Sequence, residues 1–142
     1  MTERWKDVPG FEGRYQVSDH GNVRSLDRVE HFPAYITSRG AHRSASVRSF
    51  KGKVLRPGAH ESGHVTVAIG KGNSRMVHQL VMEAFVGPRP DGQEVLHENH
   101  IPADNRLSNL RYGTRSENIK MDFEAGTRTV HPNFNRWGYR YA

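Results

Sequence analysis

The sequence contains no cysteine among its 142 residues. This absence excludes disulfide bonds, thiolate metal sites and cysteine nucleophiles within the sequence. Any metal ion must therefore be held by His, Asn, Asp or Glu side chains. Such ligands favour a hard, oxygen-preferring site or a mixed nitrogen and oxygen site.

Long apolar stretches are also missing. No run approaches the roughly 20 residues that span a membrane, and the N-terminal stretch MTERWKDVPG has no apolar signal core. Hydrophobic residues make up 35% of the chain, so the core should be modest, and 14 Gly and 7 Pro favour turns and short strands. We expect one compact domain, or one small domain with an appended module, in a soluble cytoplasmic protein that does not associate with membranes.

Acidic residues are scarce in one segment of this basic chain. The net charge is +6, and between Arg24 and Arg56 eight Lys and Arg residues stand against two acids, so this segment accounts for the whole surplus. A basic cluster of this density favours a nucleic acid partner, held through its phosphates, over a merely solubilising surface. The predicted DNA contacts are Arg24, Arg28, Arg43, Arg48, Lys51 and Lys53.

The apolar pattern divides the chain into four parts. Residues 1–29 predict a small antiparallel module, with two short strands around the turn SDHGN, and residues 30–53 predict a basic loop or linker. Residues 54–127 carry the remaining elements. Residues 128–142 form a basic aromatic tail that either lies on nucleic acid or docks on the body.

The 54–127 part mixes strand and helix patterns. Period-two alternation predicts a hairpin with strands near 64–69 and 74–77, and VHQLVMEAF has the apolar spacing of an amphipathic helix. EVLH and LRYGT read as brief strands on either side of a polar loop, and SENIKMDFEAG reads as a helix capped by Thr114 or Ser116. The class is therefore α+β.

Four polar residues in the last stretch form a candidate site. His97, at a strand end, suits a general base, and Asn109 would brace the following loop and fix the imidazole tautomer. Asn118 and Asp122 lie four residues apart on one helix face, where two oxygen donors can hold one cation. Each signal alone is weak, because a single His is more often structural and a helical Asn/Asp pair is more often solvated. Their order beside a basic segment gives the prediction its force.

Two stretches carry a family resemblance. VHQLVMEAFVGPRP, followed by VLHENHIPADNRLSNLRYGTRSEN, resembles the HNH homing-type endonucleases of phages and mobile introns. WKDVPGFEGRYQVSDHGNVRSL resembles the NUMOD4 module that precedes such domains and helps to bind DNA. The resemblance covers about residues 3–29 and 76–127. It implies a small antiparallel β module followed by a ββα-metal (His-Me finger) nuclease core, in a bacterial or phage-infected cell.

Position by position, the resemblance implies that His97 is the general base, Asn109 the loop-organising residue and Asn118 a helical metal ligand. Leu96 departs from the pattern, since many members have an acid immediately before the base. Either Asp122, or less readily Asn99 or His100, completes the metal site, or metal binding is weakened.

The resemblance implies a metal-dependent endonuclease that acts on double-stranded DNA. One divalent cation is expected, with Mg²⁺ favoured and Mn²⁺ as the alternative. The chain would nick one strand as a monomer or cut both as a homodimer. The competing readings are a non-catalytic DNA-binding protein with a degenerate metal site, favoured by Leu96, and an RNA-binding module, which leaves the ordered polar residues unexplained.

Other polar residues are given structural readings. His78 is interpreted as a packing or capping residue, and Asp104 and Asn105 chiefly as loop formers. The spacing of the remaining histidines suggests no second metal site; these are His20, His31, His42, His60, His64 and His131.

Overall fold

The computed structural model describes residues 2–126 of the chain. The predicted basic aromatic tail, residues 128–142, lies outside the described residues. The described part is a mixture of short antiparallel strands and two α-helices, which confirms the predicted α+β class. Within it, no helix is both long enough and apolar enough to cross a membrane.

The N-terminal strands form one antiparallel sheet in the order β1-β2-β3, and the predicted pair around SDHGN is confirmed as β2 and β3. The buried Ser18 holds the turn, because its hydroxyl accepts hydrogen bonds from the backbone N–H groups of His20 and Asn22. The strands are β1 Trp5–Asp7, β2 Tyr15–Ser18 and β3 Val23–Ser25.

Residues 28–50 form a two-stranded ribbon, which differs from the predicted loop. β4 pairs with β7, and β5 pairs with β6 closer to the tip. Cross-strand stacking of cations on rings stabilises the pairing: the Arg28 guanidinium lies 4.4 Å from the centroid of Phe50, and that of Arg48 lies 5.1 Å from that of Phe32. The strands are β4 Arg28–Phe32, β5 Tyr35–Ile36, β6 His42–Arg43 and β7 Ser46–Phe50.

A second three-stranded sheet, in the order β10-β9-β8, leads into the first helix. The predicted hairpin and amphipathic helix are both confirmed here. The elements are β8 Gly58–Ala59, β9 Val65–Ala68, β10 Ser74–Met76 and α1 Val77–Phe85.

Helix α1 is the centre of the hydrophobic core. Its buried side chains pack in one cluster with residues in or next to the N-terminal sheet and the second sheet, and with Leu110. The cluster is Val8, Tyr15, Val17, Val23, Val67, Ile69, Val77, Leu80, Val81, Met82 and Leu110. Burial of apolar surface therefore joins the N-terminal sheet to the rest of the described chain through one shared core.

The last three elements form a hairpin followed by a helix. β11 Gln93–His97 pairs with β12 Leu110–Thr114, so that His97 lies opposite Leu110 at the end of the pair. A short 3₁₀ turn, Leu107–Asn109, precedes β12, and α2 Arg115–Glu124 follows it. The Thr114 hydroxyl accepts the Glu117 backbone N–H, which is the predicted helix cap.

Candidate active site

His97 ends β11 at the edge of an open cavity and is only 9% exposed. Its Nε2 lies 3.0 Å from Oδ1 of Asn105, which is itself buried. An amide oxygen only accepts hydrogen bonds, so Nε2 is the donor in this contact, and the uncharged form of the ring has its lone pair on Nδ1. Asn105 therefore fixes the tautomer of His97.

Asn109 has a different task from Asn105. Its side-chain Nδ2 donates to Oδ1 of Asn99 and to the backbone oxygen of Asp104, each at 2.9 Å, and its Oδ1 accepts the backbone N–H of Asn99. The loop-bracing geometry expected of Asn109 is thus present. The contact to the imidazole comes from Asn105 instead, because Asn109 is occupied in tying together the two sides of the loop.

Asp104 completes this loop network. Its carboxylate accepts from the Arg106 guanidinium at 2.7 and 2.9 Å and from Nδ2 of Asn99 at 2.7 Å. These hydrogen bonds, that of Arg106 first, hold the pKa of Asp104 well below its usual range. Asn99, an alternative metal ligand from the sequence, is therefore engaged in holding the loop.

Helix α2 presents Asn118 and Asp122 to the same cavity as His97. Nδ2 of Asn118 donates to Oε1 of Glu94 at 2.8 Å. Oδ1 of Asp122 lies 3.1 Å from Nδ1 of His100, whose backbone has a positive φ of 59°. The structure therefore gathers the predicted base and both predicted metal ligands around one cavity.

Two further histidines lie against His97. The ring centroids of His64 and His78 are 4.6 Å apart, and those of His64 and His97, and of His78 and His97, are 5.5 and 5.3 Å apart. One ring nitrogen from each of the three lies within 4.8 Å of the others, so the three together could hold a metal ion. Sequence reasoning missed this cluster, because the rings come from a hairpin turn, a helix start and a strand end with no shared spacing.

Burial favours the uncharged form of the two added rings. It lowers the pKa of His78 to about 3, and the neighbouring His64 and His97 add to this effect. Burial is also the main cause that lowers the pKa of His64, and a hydrogen bond with the Pro102 backbone partly opposes it. Among the described residues, Nδ1 of His64 and Nδ1 of His78 are buried nitrogens without a hydrogen-bond partner.

Comparisons with known proteins agree with this geometry. Residues 75–120 match the family model described as HNH endonuclease, and residues 3–70 match that of the NUMOD4 motif. This chain carries both motifs. Both resemblances predicted from the sequence are therefore confirmed, and the NUMOD4 match reaches past the N-terminal sheet to include the ribbon and His64.

Two curated relatives and one solved structure are similar to the chain. It is 32% identical over 126 residues to the DNA endonuclease I-HmuI of Bacillus phage SP01, which covers 89% of this chain and 61% of the relative. It is 29% identical over 123 residues to the uncharacterized HNH endonuclease L247 of Acanthamoeba polyphaga mimivirus, which covers 84% of this chain and 26% of the relative. A solved structure that describes DNA binding and cleavage by the HNH homing endonuclease I-HmuI matches with a TM-score of 0.65 and 28% identity. The match covers 89% of this chain and 62% of that one. The chain thus spans about three fifths of the length of I-HmuI.

In the HNH segment, Leu96 is fully buried and turned toward Gly113, where an added Cβ would meet its Cδ1 at 2.5 Å. Glu94 precedes it by two residues and so lies on the same face of β11. The Glu94 carboxylate borders the cavity and holds Asn118. Glu94 is therefore an acid beside helix α2 that was not predicted from the sequence. The alternation of side chains along β11 could have indicated it, because alternation places Glu94 on the same face as Leu96.

The six predicted DNA contacts lie within the segment that matches the NUMOD4 motif. None of them is among the described residues that line the cavity. Arg43, Arg48, Lys51 and Lys53 are exposed, whereas Arg24 stacks on Trp5 with its guanidinium 4.1 Å from the ring centroid. The cavity is lined instead by two other cations, Arg89 and Arg115, that the sequence reasoning did not single out.

Proposed function

We propose that the chain is a metal-dependent endonuclease that hydrolyses phosphodiester bonds of double-stranded DNA, with His97 as its general base. The observation that carries this proposal is the position of His97: its Nε2 is tied to Asn105, and its ring faces a cavity that it shares with three oxygen-bearing side chains. The similarity to I-HmuI, whose solved structure describes DNA binding and cleavage, supports the same conclusion.

His97 and Asn105 would act together on the attacking water. Imidazole is well suited to accept a proton near neutral pH, so Nδ1 of His97 takes the proton as the water oxygen attacks phosphorus. The N–H on Nε2 remains bonded to Asn105, which keeps the ring oriented and stabilises the cation that forms. Asn105 is thus a positioning residue, while Asn109 and Asp104 keep its loop in place.

The donor set around the cavity fits a hard divalent cation. Glu94 and Asp122 offer carboxylate oxygens and Asn118 an amide oxygen, which are ligands that Mg²⁺ and Mn²⁺ prefer. Glu94 would supply the acid that Leu96 cannot, and His100 would orient Asp122. When bound, Mg²⁺ would neutralise charge on the scissile phosphate and on the leaving 3′ oxygen.

DNA would be held at two places. Exposed cations of the ribbon and of the segment after it, such as Arg43, Lys51 and Lys53, would contact phosphates away from the cut. Arg89 and Arg115 would contact the strand within the cavity. One such site per chain would cut one strand, leaving a 5′ phosphate and a 3′ hydroxyl.

Supercoiled plasmid provides the test. The full chain should convert it to open circles with Mg²⁺ or Mn²⁺ and lose this activity when the metal is chelated, because the proposed ligands carry no positive charge that could replace the cation at the phosphate. Asp122→Ala should raise the Mg²⁺ concentration that gives half the maximal rate by about tenfold or more. Asp91→Ala, which removes an exposed acid that does not line the cavity, is the matched control.

The outcome also decides between this function and a second candidate. The buried Leu96 favours a DNA-binding protein that has lost metal ligation. Retardation of plasmid without nicking in either metal would support that second candidate and contradict the endonuclease. Nicking that persists in excess chelator would contradict the metal requirement.

A further inference from the structure

The histidine cluster differs from the oxygen donors in its chemistry. Its three imidazoles offer nitrogen, which suits Zn²⁺, Co²⁺, Ni²⁺ and Cu²⁺ better than Mg²⁺. His64 and His78 come from outside the ββα elements, His64 from just before β9 and His78 from the first turn of α1. The cluster therefore assembles only where the two sequence motifs meet.

The spacing of the rings requires little adjustment to hold an ion. Since the three ring nitrogens lie within 4.8 Å of one another, some point lies within about 2.8 Å of all three, whereas zinc–imidazole bonds are about 2.0–2.1 Å long. Each nitrogen would need to move by less than about 1 Å, which side-chain rotation readily supplies.

Unpartnered nitrogens provide the second observation. Nδ1 of His78 and Nδ1 of His64 are buried without a partner, and His78 is only 7% exposed. A buried polar atom without a partner costs free energy, and a bound ion would offset that cost. Simple packing of three rings leaves both atoms unexplained.

We propose that His64, His78 and His97 form a second metal site, selective for a borderline transition-metal ion such as Zn²⁺ and separate from the oxygen donors of Glu94, Asn118 and Asp122. A neutral imidazole has one free lone pair. An ion on His97 and proton abstraction by His97 therefore exclude each other. If the proposed function holds, occupancy of this site switches the nuclease off.

Co²⁺ is the probe, because tetrahedral coordination gives it visible absorption bands. Titration of the metal-stripped full chain should give these bands at about one Co²⁺ per chain, and Zn²⁺ should abolish them whereas millimolar Mg²⁺ should not. His64→Phe keeps a ring in place but removes one ligand, and it should weaken Co²⁺ binding by about tenfold or more.

His60→Phe is the matched control, because His60 is exposed on the same hairpin and bonds Ser62. It should bind Co²⁺ as the wild type does, and circular dichroism should show both variants folded. Equal Co²⁺ affinity in the wild type and His64→Phe, or an equal loss in His60→Phe, would overturn the second site. Co²⁺ binding is measured without nuclease activity, so the result tests the second metal site even if the proposed function is wrong.

The regulatory consequence has its own measurement. Zn²⁺ added at about one equivalent should inhibit Mg²⁺-dependent nicking by the wild type, and the inhibitory concentration should rise by about tenfold in His64→Phe. Inhibition at the same Zn²⁺ concentration in both proteins would contradict the link between this site and His97.

Discussion

The burial of His78 links stability to pH at the scale of one residue. In the unfolded chain such a ring takes up a proton near pH 6.5, whereas in the fold its pKa falls to about 3, because burial disfavours the charged form. The stability contributed by the neutral ring is therefore fully present above pH 6.5. It is lost as the pH falls from there toward 3, since only the unfolded chain binds the proton in that window.

His78→Phe should flatten this pH dependence. Between pH 6 and pH 5, with metal chelated, the wild-type free energy of unfolding should fall by about 1.2 kcal/mol more than that of the variant, because the unfolded ring binds about 0.9 proton on average over this pH unit. Urea unfolding followed by circular dichroism at each pH measures this difference. Parallel pH profiles for the two proteins would show that His78 is not held neutral.

At this scale, the residues of the candidate site were easier to predict than their hydrogen-bond partners. His97, Asn118 and Asp122 were singled out from order and spacing, and the structure places all three at one cavity. The roles of Asn105 and Glu94 were not predicted, because a hydrogen bond to an imidazole or to a helix side chain depends on how the loop and the helix pack. Local pattern does not contain that information.

At the scale of elements, the turn between β2 and β3 supports the loop that follows His97. The Asp19 backbone oxygen accepts the Leu107 N–H at 2.9 Å. Gly21 approaches so closely that an added Cβ would lie 3.0 Å from both Cβ and the backbone oxygen of Asn105. The N-terminal sheet thus contacts the residue that orients the proposed base.

Gly21→Ala should therefore slow DNA nicking while leaving DNA binding in place. The added methyl group displaces Asn105, and we expect a rate loss of about tenfold or more, consistent with the loss of orientation of a catalytic group. Plasmid nicking at saturating Mg²⁺ measures the rate, and gel retardation measures binding.

Gly13→Ala separates this contact from backbone strain. Gly13 also has a positive φ, of 77° against 87° for Gly21, but no atom lies within 4 Å of its added Cβ. Both variants should lose about 1–2 kcal/mol of stability from the left-handed backbone, and only Gly21→Ala should lose activity. Equal nicking rates in Gly21→Ala and Gly13→Ala would contradict the claim that the close contact of Gly21 with Asn105 supports catalysis.

Elements with strong local signals were the predictable ones. Helix α1 follows from its apolar spacing, and the β9–β10 hairpin follows from alternation between glycine turns. Residues 30–53 were expected to be a loop, because they include few large apolar residues, whereas most of them lie in the ribbon of residues 28–50. Arginine–aromatic stacking across the strands supplies the pairing energy that composition did not reveal.

For the whole molecule, the two motifs act as one structure around α1. Core residues from the N-terminal sheet and from the HNH segment pack in the same cluster. Gly21 in the β2–β3 turn lies against Asn105, and the ring of His64 lies against that of His97. The sequence was divided into a binding module, a linker and a nuclease core, and this division did not predict a shared hydrophobic core. Long-range packing leaves little trace in local composition. The proposed DNA-binding and catalytic surfaces therefore share a common core.

The central claim is that His97 activates water for phosphodiester hydrolysis, and single-turnover nicking of supercoiled plasmid in Mg²⁺ tests it most directly. His97→Ala should lower the rate by about a hundredfold or more while its affinity for the plasmid, measured by gel retardation, stays within about twofold of the wild type, because phosphate contacts dominate DNA affinity. His60→Ala, an exposed histidine outside the cavity, should match the wild type in both measurements. Nicking by His97→Ala at the wild-type rate would contradict the claim.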